Sequence, residues 1–203
     1  MMITKWTTSK IILTLFLIGI IAISFFAFLL YFNLKKKSKD ISTEKPFVDY
    51  IGKPLVLNTE TFLVKEDKAI YDNAKFPYLL TDSMSYNYDD LIKRNQIRID
   101  KDKPCDICDI IFLETFPEGT VVTFHKAVMT IGGVSGSANL ILYGTVEYNN
   151  QKYPVGYYWG REDYSKKSDT SGFFGMKRYY KFNQAPWQTK QDTSQYIIKD
   201  AQW

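Results

Sequence analysis

The hydrophobic pattern begins with one long apolar stretch near the start of the chain. Residues 11–34 contain no charged side chain, and the run over residues 11–32 is followed by Lys35, Lys36 and Lys37. As a helix this run would be about 33 Å long, and the hydrocarbon core of a bilayer is about 30 Å thick. The run is apolar on every face, whereas a helix packed on a soluble core is usually amphipathic. We therefore predict a transmembrane helix over residues 11–32, with the three lysines at the membrane interface.

A cleavable signal peptide is the alternative for this segment. Its apolar core is about 7–15 residues long and is followed by small residues at a cleavage site. Residues 25–32, FFAFLLYF, offer no such site, and no nearby cysteine could carry a lipid. The sequence therefore favours an uncleaved single-span signal-anchor in a cell membrane.

The flanking charges do not decide on which side of the membrane the C-terminal domain lies. Lys5 and Lys10 precede the apolar run, and Lys39 adds to the lysines that follow it. The positive-inside rule applied to these flanks weakly favours a cytoplasmic C-terminal side. A small β-domain behind a short basic N-terminal tail is, however, generally exported. We prefer an extracytoplasmic domain and leave the orientation open.

After the apolar run, the pattern changes to short apolar segments of strand length separated by turn residues. Residues 1–10 form a short basic tail, residues 33–46 resemble a basic and polar juxtamembrane linker, and residues 47–203 resemble one mainly-β globular domain. The predicted strands are 55–57, 61–65, 78–81, 96–100, 110–115, 120–126, 139–148, 152–159 and 178–182, with a short helix at 89–95.

The strongest β signal runs over residues 109–160. Turns are predicted at residues 116–119 and at residues 149–150, where the chain returns antiparallel. The strand at 139–148 is apolar on both faces, which is typical of a central position in a sheet. Many short strands and little helix predict a small antiparallel barrel or sandwich, SH3-like or similar.

Charge is distributed unevenly along the chain. Six of the 26 Lys and Arg residues lie before position 40, and all 22 acidic residues lie at or after it. The domain is therefore slightly acidic, and the net charge of +4 comes from the membrane flanks, where cations face anionic headgroups. The charges indicate a lipid bilayer as a partner, and no basic stripe remains to indicate nucleic acid.

Cys105 and Cys108, the only cysteines, form a C-x-x-C pair. Such a pair can be a redox couple, half of a zinc site or a small structural disulfide. With one histidine and no second cysteine pair, the chain cannot complete a closed Cys/His zinc site. The flanking Asp106 and Asp109 disfavour a thiolate. We therefore favour a local disulfide, oxidised if the domain is exported, or two unreactive thiols.

Other candidate chemistry is incomplete. The Gly/Ser-rich connector at residues 132–137 does not match a nucleophile elbow or a phosphate loop. His125, the only imidazole, could pair with Ser135 or Cys105, but a lone histidine on a strand is usually a half-exposed surface residue. The remaining acid–base or metal candidates are Asp89 and Asp90, Glu162 and Asp163, Asp100 and Asp102, and Asp106 and Asp109. We predict no catalytic residue, no metal site and no cofactor.

Aromatic side chains make up 16% of the chain and become denser towards its C-terminus. On the predicted strand 152–159, Tyr157 and Trp159 share one face, and Tyr158 takes the other. One face must pack the core, and the other could present rings to a peptide, a glycan or a protein. The candidate binding surface consists of Tyr157, Tyr158, Trp159, Tyr164, Phe173, Phe174, Tyr179 and Tyr180. Packing within the core is the alternative interpretation for the same rings.

These patterns favour a binding protein over an enzyme. We expect a single-pass membrane protein whose β-domain is a non-catalytic interaction module of the cell envelope, with another envelope protein or a glycan as its partner. The alternative is an envelope enzyme, either a hydrolase that uses Asp or Glu groups or a thiol oxidoreductase that uses Cys105 and Cys108. A purely structural tether is a third hypothesis.

Overall fold

A computed structural model of the chain describes residues 8–35, 37–66, 76–83, 110–132, 136–166 and 177–199. Its first element is helix α1, Thr8–Leu34. The window Lys10–Tyr31 is long and apolar enough to cross a membrane, and no part of it is buried against the rest of the protein. Thr14 Oγ1 donates to the carbonyl oxygen of Lys10 at 2.8 Å, so this hydroxyl is satisfied within the helix. The prediction of an N-terminal helix of membrane-spanning length is confirmed.

The described chain after α1 consists mainly of strands. Within it, the only other helical element is a 3₁₀ turn at Phe47–Asp49. The strands are β1 Lys37–Asp40, β2 Pro54–Val56, β3 Thr61–Glu66, β4 Tyr78–Asp82, β5 Ile110–Phe116, β6 Val121–Ile131, β7 Ala138–Tyr148, β8 Gln151–Tyr158, β9 Arg161–Glu162, β10 Lys177–Lys181 and β11 Tyr196–Lys199. The predicted helix at 89–95 and the predicted strand at 96–100 lie outside the described residues.

Strand β1 follows helix α1 almost directly, because only two residues separate them. It pairs antiparallel with the second half of β6, with Lys37 opposite Ile131. The next residue, Ile41, is fully buried in the core. Part of the segment predicted as a linker over residues 33–46 is therefore a strand of the folded domain. Lysines are common on edge strands, where they discourage pairing with other chains, so this strand has the composition of a linker.

Eight strands form one mixed sheet in the order β1–β6–β7–β8–β4–β3–β5, and β2 pairs with β6 on the same edge as β1. Strands β4 and β8 run parallel, and the other pairs described in this sheet are antiparallel. The predicted antiparallel arrangement is therefore wrong at β4–β8. These two strands are far apart in the chain, and local patterns carry no information about such a pairing.

A short connection joins strands that lie near opposite edges of the main sheet. Strand β5 lies at the outer edge beyond β3, yet only residues 117–120 connect it to β6. Leu57, which follows β2, makes two hydrogen bonds to this connection. Its N–H donates to the carbonyl oxygen of Thr120 at 2.9 Å, and its carbonyl oxygen accepts from the N–H of Gly119 at 2.8 Å. A mainly-β domain is thus confirmed, but its strand order is open, not that of a closed barrel. The SH3-like form stays a prediction.

The hairpin of β7 and β8 lies at the centre of the main sheet. Asn149 and Asn150 turn the chain with φ values of 50° and 60°, the left-handed conformation of a two-residue hairpin. Tyr148 and Gln151 face each other across this turn. The central position predicted for strand 139–148 matches the observed neighbours of β7, which are β6 and β8.

Strands β6 and β7 approach each other unusually closely at Gly144. Strand β6 has a bulge between Phe124 and Lys126, opposite this glycine. A Cβ atom at position 144 would lie 2.3 Å from the carbonyl oxygen of Thr123 and 2.8 Å from the Cα of Phe124. Because both atoms belong to the backbone, the contact admits only glycine.

A second sheet is formed by β9, β10 and β11, in the order β11–β10–β9 with antiparallel pairing. It follows β8 directly through Gly160, whose φ of 106° turns the chain into β9. Tyr180, Phe182 and Ile198 from this region are buried in the same core as side chains of the main sheet. Strand β11 is not among the predicted strands, since its four residues, YIIK, form a short segment without alternation of apolar and polar positions.

Gly144→Ala is expected to destabilise the domain by about 1–3 kcal/mol or more, because the added methyl group overlaps backbone atoms that cannot move aside. Urea unfolding of the full-length protein in detergent, followed by tryptophan fluorescence, measures this change. The matched control is Gly156→Ala, whose Cβ would approach only side-chain atoms, at 3.4 Å from Ile141 and Leu79 and 3.5 Å from Tyr143. The control is expected to cost less than about 1 kcal/mol. Equal unfolding midpoints for the two variants would contradict the close approach of the β6 backbone to Gly144.

Candidate functional site

Aromatic side chains fill much of the interior of the domain. The Trp187 ring centroid lies 5.0 Å from Tyr157, 5.5 Å from Trp159 and 4.9 Å from Phe124. Trp159 in turn lies 4.8 Å from Phe182. Most of these pairs are edge-to-face, an arrangement that the charge distribution of aromatic rings favours. Since Trp187 lies outside the strands, this packing holds its segment against the main sheet.

Polar contacts fix the same segment. Gln188 donates from Nε2 to Tyr50 Oη at 2.8 Å, and its Oε1 accepts from the N–H of Ala185 at 2.8 Å. Trp159 Nε1 donates to the carbonyl oxygen of Asn183 at 2.9 Å. These side chains satisfy backbone groups that no strand pairs, so the segment is held in one position.

A buried carboxylate lies beside the aromatic interior. Asp82, at the end of β4, accepts a hydrogen bond from Tyr157 Oη at 2.9 Å, and both side chains are buried. Burial, and after it the negative charge of Asp82, raises the pKa of Tyr157 well above its ordinary value of 10.0. Tyr157 therefore stays protonated at neutral pH and acts as a donor. The pair joins β4 to β8 inside the core, where it supports the parallel pairing of these strands.

The predicted aromatic surface divides into several environments. Tyr157, Trp159 and Tyr180 are buried in the core, Tyr158 and Tyr164 are exposed, Tyr179 is half-buried in the second sheet, and Phe173 and Phe174 lie outside the described residues. The predicted alternation along β8 is observed, since Tyr157 faces the core and Tyr158 does not. Packing in the core is thus the role of three of the predicted residues.

A group of apolar side chains lies on the face of the main sheet that is turned away from the core. We call it the outer-face cluster, and its members are Phe76, Leu79, Ile141, Tyr143 and Tyr158. The register places Ile141 opposite Tyr158 and Tyr143 opposite Gly156, and Leu79 pairs with Gly156 from the other side. Residues paired in this way share one face of a sheet. The cluster therefore spans β7, β8 and β4.

Gly156 lets the side chains of the outer-face cluster converge. A Cβ at this position would lie 3.4 Å from Ile141 and Leu79 atoms and 3.5 Å from Tyr143 Cε1. The rings of Phe76 and Tyr143 lie 4.7 Å apart with their planes inclined by 33°. The cluster is partly covered: Ile141 is buried, Phe76, Leu79 and Tyr143 are half-buried, and Tyr158 is 41% exposed. A partly exposed aromatic and aliphatic surface on a rigid sheet has the chemistry of a protein-binding site.

Sequence reasoning found Tyr158 but missed the rest of this cluster. The signal for Ile141 and Tyr143 was present, because strand 139–148 is apolar on both faces. By itself, that pattern indicates only a central position in the sheet. Phe76 and Leu79 join the cluster through the parallel β4–β8 pair, which no local pattern indicates.

Two predicted acid–base candidates are engaged in structural contacts. Glu162 accepts from Arg178 Nη1 at 2.7 Å. Asp163 accepts from Ser165 Oγ at 2.6 Å and from Lys181 Nζ at 3.0 Å. The Ser165 hydroxyl, and after it Lys181, lowers the pKa of Asp163 to about 2. Asp163 is therefore ionised at neutral pH and is a poor proton donor. Its contacts with Ser165 and Lys181 stabilise the conformation of the chain directly after β9.

Most of the other chemical candidates lie outside the described residues. His125 is exposed, and its Nε2 lies 3.4 Å from Thr145 Oγ1 on the neighbouring strand. The candidates outside the described residues are Cys105, Cys108, Ser135, Asp89, Asp90, Asp100, Asp102, Asp106 and Asp109. Within the residues that the structure describes, no group of three His, Cys, Asp or Glu side chains could hold a metal ion.

The predicted interface lysines follow the helix end. Lys35 is exposed, and its N–H donates to the carbonyl oxygen of Tyr31 at 3.0 Å, which continues the helical hydrogen bonding. Lys37 is half-buried in β1, and Lys36 lies outside the described residues. The start of the sheet therefore falls within the predicted interface.

Comparisons with known proteins give no relative, since no protein-family model, curated protein or solved structure matches the chain.

Tyr157→Phe is expected to change how the stability of the domain depends on pH. A tyrosine in the unfolded chain loses its proton near pH 10.0, whereas Tyr157 in the folded protein keeps it to higher pH. The stability from this group is therefore complete below pH 10.0 and is lost as the pH rises towards the folded-state pKa. The loss is about 1.4 kcal/mol per pH unit for one proton. Phenylalanine removes this slope, and at neutral pH it costs about 1–3 kcal/mol because Asp82 loses a donor.

Urea unfolding of the full-length protein in detergent, from neutral pH to about pH 12, measures both effects. Tyr196 adds a slope of its own in wild type and variant, because burial and a hydrogen bond to Asp192 raise its pKa to about 12. Tyr164→Phe, which removes an exposed phenol, is the matched control. Superimposable pH profiles for wild type and Tyr157→Phe would show that the buried hydrogen bond has no such role.

Proposed function

We propose that this chain is a single-pass membrane protein whose β-domain is held at the membrane surface and acts there as a non-catalytic interaction module of the cell envelope. The observation that carries the proposal is the short connection between a helix of membrane-spanning length and the first strand of the domain. The outer-face cluster supplies the surface for a partner.

The connection supports an anchoring role through its length. The apolar window ends at Tyr31, helix α1 ends at Leu34, and β1 begins at Lys37. Three residues span at most about 10 Å, and the headgroup region adds about 5–8 Å on each side of the hydrocarbon core. With α1 in the bilayer, the domain therefore begins beside the headgroups, not at the end of a tether.

A signal sequence near the N-terminus can also be long and apolar enough to resemble a membrane span. Two features support an uncleaved anchor. Residues 25–32 lack the A-x-A-like pattern of small residues at a cleavage site. Cleavage after the helix would also leave β1, which pairs with β6 and precedes the buried Ile41, at the new terminus. We place the domain on the extracytoplasmic side.

The outer-face cluster supports a binding role. Tyr143 and Tyr158 are carried by strands at the centre of the sheet, so their rings lose little conformational entropy when a partner covers them. Tyrosine and phenylalanine are enriched in protein interfaces, because each supplies a large contact area. We propose another envelope protein as the partner of this surface, and a glycan as the other ligand class that aromatic rings could bind.

The anchor predicts that the full-length protein stays in the membrane fraction after an alkaline carbonate wash, because α1 holds it in the hydrocarbon core. Intact mass measurement is expected to find α1 still attached. Protease added to intact spheroplasts is expected to digest the domain, which reports an extracytoplasmic location. A soluble form that lacks α1 would contradict the anchor, and a protected domain in sealed cells would place it in the cytoplasm.

The outer-face cluster predicts that Tyr158→Ser weakens partner binding by about tenfold, because an interfacial tyrosine often contributes more than 1 kcal/mol. A photo-cross-linking residue at Glu147, which lies on the same face of β7, reports binding in intact cells. The yield of cross-linked partner, identified by mass spectrometry, is the measurement.

Tyr164→Ser is the matched control for this experiment, since Tyr164 is 74% exposed and lies outside the cluster. The control is expected to keep the wild-type yield. Equal losses in both variants, or a cross-linked product that is a soluble cytoplasmic protein, would count against the proposed module.

A further inference from the structure

The main sheet has one end next to the anchor. The register places Lys37, Ile131 and Ala138 side by side on β1, β6 and β7. The hairpin at residues 149–150 lies at the other end of β7, about 35 Å away along the strand. Because α1 enters the domain at Lys37, the end that contains Lys37 lies beside the bilayer.

The second sheet lies close to this same end. Lys39 Nζ donates to the carbonyl oxygen of Lys199, at the end of β11, at 3.1 Å. Lys39 is five residues beyond Leu34, where α1 ends, so it lies within about 18 Å of the helix end. The second sheet is thus held near the headgroups by the path of the chain.

One face of the second sheet is turned away from the core. Tyr180 and Ile198 point into the core, and the residues that alternate with them point outward. The register places Tyr179 opposite Ile197, and Lys181 opposite Arg161. We call this the basic face, and its members are Arg161, Tyr179, Lys181, Ile197 and Lys199.

The basic face combines positive charge with an apolar centre. Arg161, Lys181 and Lys199 are exposed, and Ile197 is 55% exposed beside the half-buried Tyr179. Lys181 is paired with Asp163 at 3.0 Å. Among the described residues, Arg161 and Lys199 form no ion pair. The face is positive although the domain from Lys37 onward has 22 basic and 22 acidic residues, so its charge is a local excess.

An anionic lipid surface fits these features. Phosphate groups attract lysine and arginine, tyrosine is favoured at the level of the headgroups, and an isoleucine can enter the apolar boundary below them. We propose that the basic face lies against the anionic phospholipid headgroups of the bilayer that holds α1, and so fixes the orientation of the domain. This inference rests on the uncleaved anchor proposed above.

Amine footprinting of the full-length protein in lipid nanodiscs tests the proposal. One set of nanodiscs contains phosphatidylcholine alone, and the other also contains phosphatidylglycerol. Acetylation of Lys199 is expected to be at least about fivefold slower in the anionic nanodiscs, the factor that corresponds to one basic residue near an anionic surface. High salt is expected to restore the faster rate. Lys152, next to the distant hairpin, is the internal control and is expected to react equally in both lipids.

Two variants separate this contact from general effects of charge. Arg161→Gln combined with Ile197→Ser is expected to return the acetylation rate of Lys199 in anionic nanodiscs to the value in phosphatidylcholine. Lys152→Gln removes the same charge at the distant hairpin and is expected to leave Lys199 protected. Circular dichroism of each variant checks that the sheets are retained.

The outcomes distinguish this inference from the proposed function. A protein that stays in the nanodiscs but reacts equally at Lys199 in both lipids overturns the orientation and leaves the anchor intact. A protein that leaves the nanodiscs overturns the anchor and the orientation together. Protection of Lys199 in cell membranes but not in anionic nanodiscs would assign the basic face to a protein partner and overturn the lipid contact.

Discussion

The distance between helix α1 and strand β1 is the constraint on which the rest of the protein depends. Helix α1 is apolar on every face, and no part of its apolar window is buried against the rest of the protein, so the window requires an apolar contact from its surroundings. Lipid supplies such a contact. The first strand begins after only two more residues and pairs at once with β6. The environment that holds α1 therefore also fixes where the sheet begins, because only two residues separate the helix from β1.

In the proposed arrangement, this constraint places each surface of the domain in a different environment. The end of the main sheet that contains Lys37 and Ile131 is held near the helix, and the Lys39–Lys199 contact brings the second sheet to the same region. The outer-face cluster lies on the opposite side of the main sheet from the core. In the proposed arrangement one surface meets headgroups and another meets a partner, so the domain needs no catalytic group to be useful at a membrane.

The interior decides which aromatic rings remain available for binding. Trp187, Trp159 and Tyr157 pack against one another, and the hydrogen bond from Tyr157 to Asp82 joins β8 to β4 within this core. The same parallel pairing places Leu79 beside Gly156 on the other face. The buried pair and the outer-face cluster are therefore two consequences of one strand pairing, and the absence of a side chain at Gly156 lets the cluster close over it.

Several elements could be predicted because their signals are local. The hairpin at Asn149 and Asn150 requires positive φ angles that asparagine tolerates, and the alternation along β8 separates Tyr158 from its neighbours. The linker prediction failed at β1 because an edge strand rich in lysine has the composition of a linker. Asp163 was a candidate acid on sequence alone, and only the positions of Ser165 and Lys181 show that it is held in its ionised form.

The sequence by itself determined that one segment is long and apolar enough for a membrane and that the remainder is built from short strands. Both properties follow from hydrophobicity and its period along the chain, and neither depends on distant residues. The tertiary structure alone decided that β4 pairs parallel with β8, that Tyr157 is buried against Asp82, and that the basic residues of β9 and β11 share one face. Those outcomes depend on contacts between segments far apart in the chain, and such contacts form only when the whole sheet is assembled.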